Sequence, residues 1–125
     1  MPDLDAFLGG RGMRGISAAD RAVRAWARIN DKPTSVTLYR NSAEQTAQTM
    51  RIEPDAVAFT EEVRGPGLAA LARVLLFGVQ DHPSASVADT DVQKGDLFTL
   101  DDGQYRVIDA WEYPGEVQAR AERVT

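Results

Sequence analysis

His82 is the only histidine in the chain, so it is the first residue to consider for chemistry. Catalysis by an imidazole needs a nucleophile and an orienting acid, and a zinc site needs further nitrogen or sulfur ligands. The chain has no second histidine and no cysteine, which removes those ligands and all thiol chemistry. Because His82 lies between Asp81 and Pro83, we expect its imidazole to brace a turn.

Carboxylates are the other groups that could do chemistry. The loop acids of the second half of the chain are Asp89, Asp91, Asp96, Asp101 and Asp102. Their spacing does not match a calcium loop of the EF-hand type, so we interpret them as solvated loop acids. Glu61 and Glu62 could form a pair of carboxylates. However, adjacent residues at a strand end point to opposite faces, which argues against such a pair. The sequence therefore predicts no catalytic residues, no cofactor and no metal site, and we expect a protein that is not an enzyme.

The composition is typical of one globular domain. The chain has 125 residues, of which 43% are hydrophobic. It contains no run of about 18 apolar residues and no basic start followed by an apolar block, so we expect neither a membrane span nor a secretory signal. The net charge of −5 argues against a protein that grips DNA by counterion release.

The charge is unevenly distributed. Residues 1–30 hold five arginines and three aspartates, a balance of +2, so the remainder carries −7. A basic arm on an acidic body is typical of a protein that docks onto a partner. Residues 1–15 contain four glycines and predict a flexible arm, which either frays or packs on a neighbouring subunit. Residues 16–125 are predicted to form a single domain.

A helix is predicted from Ala18 to Ile29. Ser17 is a capping residue with an acid, Asp20, three positions later, and Pro33 ends the helix. The predicted apolar stripe consists of Ala19, Ala22, Val23, Trp26 and Ala27. The predicted basic face consists of Arg21, Arg24 and Arg28. This face is either simply solvated or a surface that meets an acidic partner.

Strands are predicted beyond the helix from β-branched, aromatic and alternating segments. The predicted strands are Ser35–Arg40, Thr46–Glu53, Ala56–Thr60, Leu97–Leu100, Gln104–Tyr113 and Glu116–Val124. A helix is the competing interpretation of the last segment, because Ala, Glu, Gln and Arg are good helix formers, and a strand is favoured because a tight turn precedes it. The apolar stretch Leu68–Val79 is either a buried helix or a buried strand, with a strand favoured from Val74. Residues 41–44, 61–67 and 80–93 are predicted loops. Short strands behind one helix predict a mainly β fold, a small antiparallel β-barrel or sandwich with one N-terminal α-helix.

Two tight turns organise the last third of the chain. Asp102-Gly103 predicts a hairpin whose two central residues have positive φ, and Pro114-Gly115 predicts a type II turn. In the strand between the turns, Tyr105, Val107, Trp111 and Tyr113 alternate onto one face. Apolar residues occupy the other face as well, so we expect this strand to be covered by its own core and by a partner, with Trp111 and Tyr113 as candidate interface residues.

Several sequence segments of the chain resemble those of one protein family. They are "SVTLYR", "ARVLLFGVQDHP", "KGDLFTLDDGQYRVIDA" and "PGEVQARAE". Together they resemble the head-closure, or head–tail connector (stopper), proteins of long-tailed bacteriophages, over roughly residues 16–124. The resemblance implies a small β-barrel that assembles into a homo-oligomeric ring in the virion neck after synthesis in the host cytoplasm. The family has no catalytic motif.

The resemblance also implies a set of partners. The ring would join the portal or adaptor ring of the DNA-filled head to a tail terminator or tail-tube protein, and double-stranded DNA would pass through it without being bound. On this reading Arg21, Arg24 and Arg28 dock an upstream ring. The loop residues Glu61, Glu62, Arg64, Asp89 and Asp91 face the tail or the channel.

Two other interpretations of the sequence stay open. One is a β-barrel that binds a small molecule or a metal, possibly as an enzyme subunit. The other is a tail-terminator or tail-tube protein, which would share the strand pattern and differ only in its partner.

Overall fold

The computed structural model describes residues 17–55 and 72–124. Its one described helix is α1 (Ala18–Asp31). The described strands are β1 (Thr34–Val36), β2 (Tyr39–Arg40), β3 (Ala43–Glu44), β4 (Gln48–Pro54), β5 (Arg73–Val79), β6 (Leu97–Leu100), β7 (Gly103–Tyr113) and β8 (Glu116–Arg123). The predicted arm, the strand at 56–60 and the loop at 61–67 lie outside these residues.

The helix begins as the sequence predicts. The Ser17 hydroxyl accepts a hydrogen bond from the Asp20 amide at 3.1 Å, which satisfies one of the free amides of the first turn. At the other end, Arg51 of β4 donates to the Arg28 carbonyl at 3.1 Å. A cation at this position complements the negative end of the helix dipole, so both helix ends are stabilised by side chains.

The predicted apolar stripe of the helix is wrong for three of its five residues, which are exposed. The residues that the helix buries are Ala22, Ala25 and Ile29, with Trp26 half-buried, whereas 47% of the Val23 side chain is exposed. Ala19 and Ala27 are exposed too. The stripe is rotated because Ala22, Ala25 and Ile29, spaced three and four residues apart, form one buried cluster with Val79 of β5.

The strands form one antiparallel sheet in the order β1-β4-β5-β8-β7-β6-β2-β3, curled into a half-barrel. The predicted mainly β fold with a leading helix is therefore confirmed. The apolar stretch whose structure the sequence leaves open is a strand over its described part, β5. The last predicted strand is confirmed as β8, and its alternate residues Val117, Ala119 and Ala121 are buried.

The curl of the sheet follows from the short link between β1 and β2. These strands lie near opposite ends of the strand order, yet only Thr37 and Leu38 separate them in the chain. A link of this length spans at most about 11 Å between the Cα atoms of Val36 and Tyr39. The two ends of the sheet must therefore approach each other, and Leu38 is fully buried between them.

This link also corrects the predicted strand Ser35–Arg40. The segment divides into β1 and β2 because its two halves pair with different neighbours: β1 with β4, and β2 with β3 and β6. The predicted loop after it contains the short strand β3, which is reached through Asn41 and Ser42 at positive φ. The long loop from Gln80 to Gln93 contains neither helix nor strand, as predicted.

Each face of the sheet has its own core. The inner core consists of Val36, Leu38, Met50, Val74, Leu76, Val92, Phe98, Tyr105, Val107, Ala119 and Ala121. The outer core is smaller and lies under the helix, where Ala22, Ala25 and Ile29 pack on Val79. Among the described residues, α1 covers only part of the outer face.

The first hairpin turn is shifted by one residue from the predicted position. Leu100 pairs with Gly103, so the turn residues are Asp101 and Asp102, and Gly103 is the first residue of β7. Gly103 has φ of +144°, whereas Asp102 has no positive φ. The glycine is needed where the strand leaves the turn rather than in its centre. The second turn is confirmed, because Gly115 has the positive φ, +83°, that a type II turn requires.

A β-bulge at Ile108 interrupts the pairing of β7 with β8. Val107 pairs with Ala121 and Asp109 pairs with Arg120, so Ile108 is an extra residue. An extra residue inverts the alternation of everything that follows. Tyr105 and Val107 are therefore in the inner core, while Trp111 and Tyr113 lie on the opposite, outer face. The prediction that these four aromatic and aliphatic side chains share one face is wrong.

Arg40 joins β2 to the long loop that precedes β6. Its Nε and Nη2 atoms donate to the two carboxylate oxygens of Asp96 at 3.0 and 2.9 Å, and its Nη1 atom donates to Asp91 at 3.1 Å. The Asp96 side chain is 1% exposed. The hydrogen bonds that Arg40 donates to Asp96, and then those to Asp91, raise the pKa of Arg40 above its usual value. The interpretation of Asp96 as a solvated acid is wrong, because Asp96 is the buried anchor of this arginine.

Replacing Asp96 with Asn should destabilise the protein by about 3 kcal/mol, because the largely buried Arg40 guanidinium loses its buried carboxylate and keeps only the exposed one of Asp91. Asp91→Asn is the matched control, since Asp91 binds the same arginine but its side chain is 63% exposed. That variant should lose less than about 1 kcal/mol. Urea unfolding of both variants measures the difference, and equal losses would contradict the assigned anchor.

The turn between β7 and β8 lies against the start of the helix. A Cβ atom on Gly115 would come within 2.5 Å of the Ala18 carbonyl oxygen and 2.7 Å of the Ala22 nitrogen. Gly95 offers a comparison, because it has φ of +97° but has nothing within 4 Å of the position of a Cβ atom.

Gly115→Ala should therefore destabilise the protein clearly more than Gly95→Ala. The second change carries only the cost of positive φ, about 1 kcal/mol, and the first adds a clash with helix backbone. Thermal melts of the two variants, run side by side, test whether the helix and the turn are in contact.

Candidate protein-interaction surface

The outer face of the sheet carries a half-exposed apolar surface beside the helix. It consists of Leu75 and Phe77 from β5 and Trp111 and Tyr113 from β7, and we call it the aromatic face. Strand pairing sets its rows: Phe77 and Trp111 both pair with Gln118, and Val79 and Tyr113 both pair with Glu116. The bulge at Ile108 is what brings the two β7 aromatics onto this side.

Trp111 and Tyr113 are the most exposed part of the aromatic face. Their exposed fractions are 37% and 43%, which is high for large apolar residues on a sheet. Large aromatic side chains are enriched in protein interfaces because they supply contact area at low conformational-entropy cost. The structure thus brings together the two interface candidates from this strand, on the outer rather than the inner face.

Arg120 fixes the position of Trp111. Its guanidinium lies 5.5 Å from the centroid of the Trp111 ring, and its Nε is 2.9 Å from a carboxylate oxygen of Asp55. Asp55 is 5% exposed, so a buried charge holds the arginine in place while the arginine stacks on the indole. Part of the entropic cost of ordering Trp111 is therefore met before any partner binds.

The three predicted arginines do not form one free basic face. Arg28 lies over the Phe77 ring at 5.2 Å and so borders the aromatic face. Arg21 is half-buried beside the turn at Gly115, where its Cβ atom would contact an added methyl group. Arg24 is exposed on the outer side of the helix. Only Arg24 and Arg28 are thus exposed at a surface that a partner can reach.

The two acids predicted to face a tail or channel have local roles in the long loop. Asp89 accepts a hydrogen bond from the Asp81 amide at 2.9 Å, where Asp81 has positive φ. The Asp91 backbone exchanges hydrogen bonds with the Gln48 side chain at 2.7 and 2.9 Å. Both Asp89 and Asp91 are exposed. The predicted residues Glu61, Glu62 and Arg64 lie outside the described residues.

His82 braces a turn, as predicted. Its Nδ1 atom accepts a hydrogen bond from the Ser84 amide at 3.0 Å. Within residues 17–55 and 72–124, no three side chains of the metal-binding types lie close enough together to hold an ion. No helix in that part of the chain has the length and apolar character needed to cross a bilayer.

An apolar cavity of about 500 Å³ opens at one end of the half-barrel. Its apolar lining includes Ile52, Ala72, Val74, Leu100 and Tyr105. Polar side chains stand at its rim, where Asp102 accepts hydrogen bonds from Tyr105 at 2.8 Å and from Arg123 at 3.4 Å. These polar groups bind one another, so the described lining does not converge on a ligand.

The sequence alone does not predict the roles of Arg120 and Phe77, but it contains a signal for the outward direction of Trp111. Counting back from the Pro114-Gly115 turn pairs Trp111 with Gln118, which belongs to the polar face of β8. Counting forward from the first turn places Tyr105 and Val107 on the core face. The two counts demand opposite phases, and only an extra residue between Val107 and Trp111 reconciles them.

Comparison of the chain with models of protein families, with curated proteins and with solved structures finds no match. The resemblance to phage connector proteins therefore stays a prediction from the sequence phrases.

Arg120→Ala should weaken the protein by about 2 kcal/mol, because a buried carboxylate loses its cation. It should also free Trp111, seen as stronger acrylamide quenching of its fluorescence in a Trp26→Phe background. Arg106→Ala is the control, an exposed arginine on β7 whose loss should cost less than about 0.5 kcal/mol. Unchanged quenching after Arg120→Ala would contradict the stacking role.

Proposed function

We propose that this protein is a structural subunit that works by assembly, through the aromatic face and the helix border beside it. The observation that carries the proposal is the pair Trp111 and Tyr113, about two-fifths exposed and side by side on one face of β7. Arg120 holds the first of them in place. An ordered, partly exposed aromatic pair is typical of a surface that a protein partner covers.

We further propose that the assembly is the neck of a long-tailed bacteriophage. The sequence phrases of β6, β7 and β8 support this, since they resemble connector proteins. The chain would form a homo-oligomeric ring between the portal or adaptor ring and the tail terminator or tail tube, and some such rings close the DNA channel. It would be made in the host cytoplasm and act in the virion neck, without catalysis and without a cofactor.

The charge distribution supports this proposal. The chain carries −5 overall, and an acidic wall lets double-stranded DNA pass without adhering. Arg28 is an exposed cation that borders the aromatic face, and Arg24 is exposed on the same helix; both would dock an acidic patch on the upstream ring. A tail-terminator or tail-tube protein would use the same surface, and only the identity of the partner distinguishes these roles.

A small-ligand barrel is the second candidate function. The apolar cavity at Ile52, Val74 and Leu100 favours it, because ligand pockets of this size are largely apolar. A hydrophobic probe such as anilinonaphthalene sulfonate should bind there and raise the melting temperature if this function is correct. Unchanged melting with the probe would leave assembly as the better account.

The test of assembly is the mass of the purified protein, alone and mixed with a portal–adaptor complex. We expect a ring-sized species on mixing. A species that stays at the 13.7 kDa of one chain under all conditions would overturn the proposal.

Replacing Trp111 and Tyr113 together with Ser should weaken that assembly at least tenfold, because the exposed anchors are lost. The variant should stay folded, with a stability loss of about 1 kcal/mol from the lost stacking on Arg120. Val23→Ser is the control, since Val23 is equally exposed but lies on the helix, away from β7. Assembly that survives the double change would place the interface elsewhere.

A further inference from the structure

Within residues 17–55 and 72–124, no strand pairs with one side of β7 over its second half. β6 pairs with β7 only from Gly103 to Arg106. Beyond that, the Val107 amide donates to the Asp96 carbonyl at 2.8 Å, and the Val107 carbonyl accepts from the Gly95 amide at 2.8 Å. From Ile108 to Tyr113, no strand among the described residues lies on this side of β7. We call this segment the free edge.

The pairing with β8 determines which backbone groups the free edge offers. Tyr113 and Glu116 flank the two-residue turn, so they form a hydrogen-bonded pair. Hydrogen-bonded positions alternate along an antiparallel ladder, so Trp111 also bonds to β8. Ala110 and Glu112 then direct their amide and carbonyl groups away from β8. Both residues are exposed.

The side chains of the free edge have a definite charge. Ile108–Tyr113 contains two acids, Asp109 and Glu112, and no cation. Asp109 is paired in register with Arg120, whereas Glu112 is paired with Val117 and faces no cation there. A second copy of this edge would bring four acids together in a chain that is already acidic. A basic segment would neutralise them.

We propose that the free edge binds an extended, basic segment of a partner protein by β-strand addition. The inference rests on the proposed function, in that it gives the partner of the same β7 surface its chemistry. The added strand would bond to Ala110 and Glu112. Its side chains would alternate: apolar ones beside Trp111 and Tyr113 on the outer face, and basic ones beside Glu112 on the other.

The exposure of Ala110 and Glu112 supports the assignment. Exposed edges are commonly guarded by proline, by inward charges or by a covering loop. The free edge contains no proline, and the bulge lies at its first residue, Ile108, so the pairing with β8 is regular from Asp109 to Tyr113. Its acids repel other acidic strands, including its own copies, and leave it open to a basic one.

The test uses the full-length chain and a capped hexapeptide of alternating arginine and valine, with binding measured by calorimetry and by amide shifts in NMR spectra. The control peptide has glutamate in place of arginine. A third peptide carries N-methyl groups on the alternate amides of the arginine peptide, which removes donors for the strand without changing its charge.

On the protein side, Ala110→Pro removes one edge donor and leaves the bonds to β8 intact, and Ala110→Val retains the donor as its control. Glu112→Lys reverses the charge without touching the backbone. We expect the arginine peptide to bind, with the Ala110 and Glu112 amides among the most shifted. Affinity should fall at least tenfold for the glutamate peptide, the N-methylated peptide, Ala110→Pro and Glu112→Lys.

Equal binding of the arginine and glutamate peptides would overturn the proposal, as would undiminished binding of the N-methylated peptide or no binding at all. A chain that forms dimers by itself, and loses them in Ala110→Pro, would assign the edge to a second copy instead. Assembly with the portal complex that survives Ala110→Pro would defeat this inference and leave the proposed function standing. Peptide binding without assembly on the portal complex would support this inference and defeat the proposed function.

Discussion

The structure depends on the phase of side-chain alternation along β7, which the extra residue Ile108 reverses. Before the bulge, Tyr105 and Val107 complete the inner core, and Tyr105 stacks on Phe98 at 5.5 Å between ring centroids. After it, Trp111 and Tyr113 face outward. A regular strand could not do both, because period-two alternation would place all four on one face. One residue thus divides β7 into a half that fills the core and a half that presents a surface.

The half-barrel has little backbone pairing where β2 joins β6. β2 pairs with β6 at a single position, Tyr39 with Leu97, so the ladder alone gives little stability there. The bidentate hydrogen bonds between Arg40 and the buried Asp96 supply a stronger and more directional connection. Leu38, fully buried in the link between β1 and β2, supplies the apolar part. Closure therefore combines one charged pair with one side chain of the core.

The surface that we assign to partner binding has two physically different parts. Its outer side is aromatic and ordered, with Arg120 and Asp55 fixing Trp111 and with Arg28 over Phe77 at its border. Its edge is acidic, and the pairing with β8 directs the backbone groups of Ala110 and Glu112 away from β8. A partner that covers both gains contact area from the first and orientation from the second. This division suits a subunit whose function is to join other subunits.

The sequence by itself determined most local features of this protein. Ser17 began the helix, Pro114-Gly115 made its turn, and the alternation of Val117, Ala119 and Ala121 gave β8 its buried face, because these depend on neighbouring residues alone. Only the tertiary structure decided that Ala25 and Ile29 belong to the buried face of the helix, that Asp96 is a buried partner of Arg40, and that Trp111 lies on the outer face of the sheet. Each depends on residues distant in the chain: Val79 for the helix, β2 for Asp96, and the competing registers of two turns for Trp111.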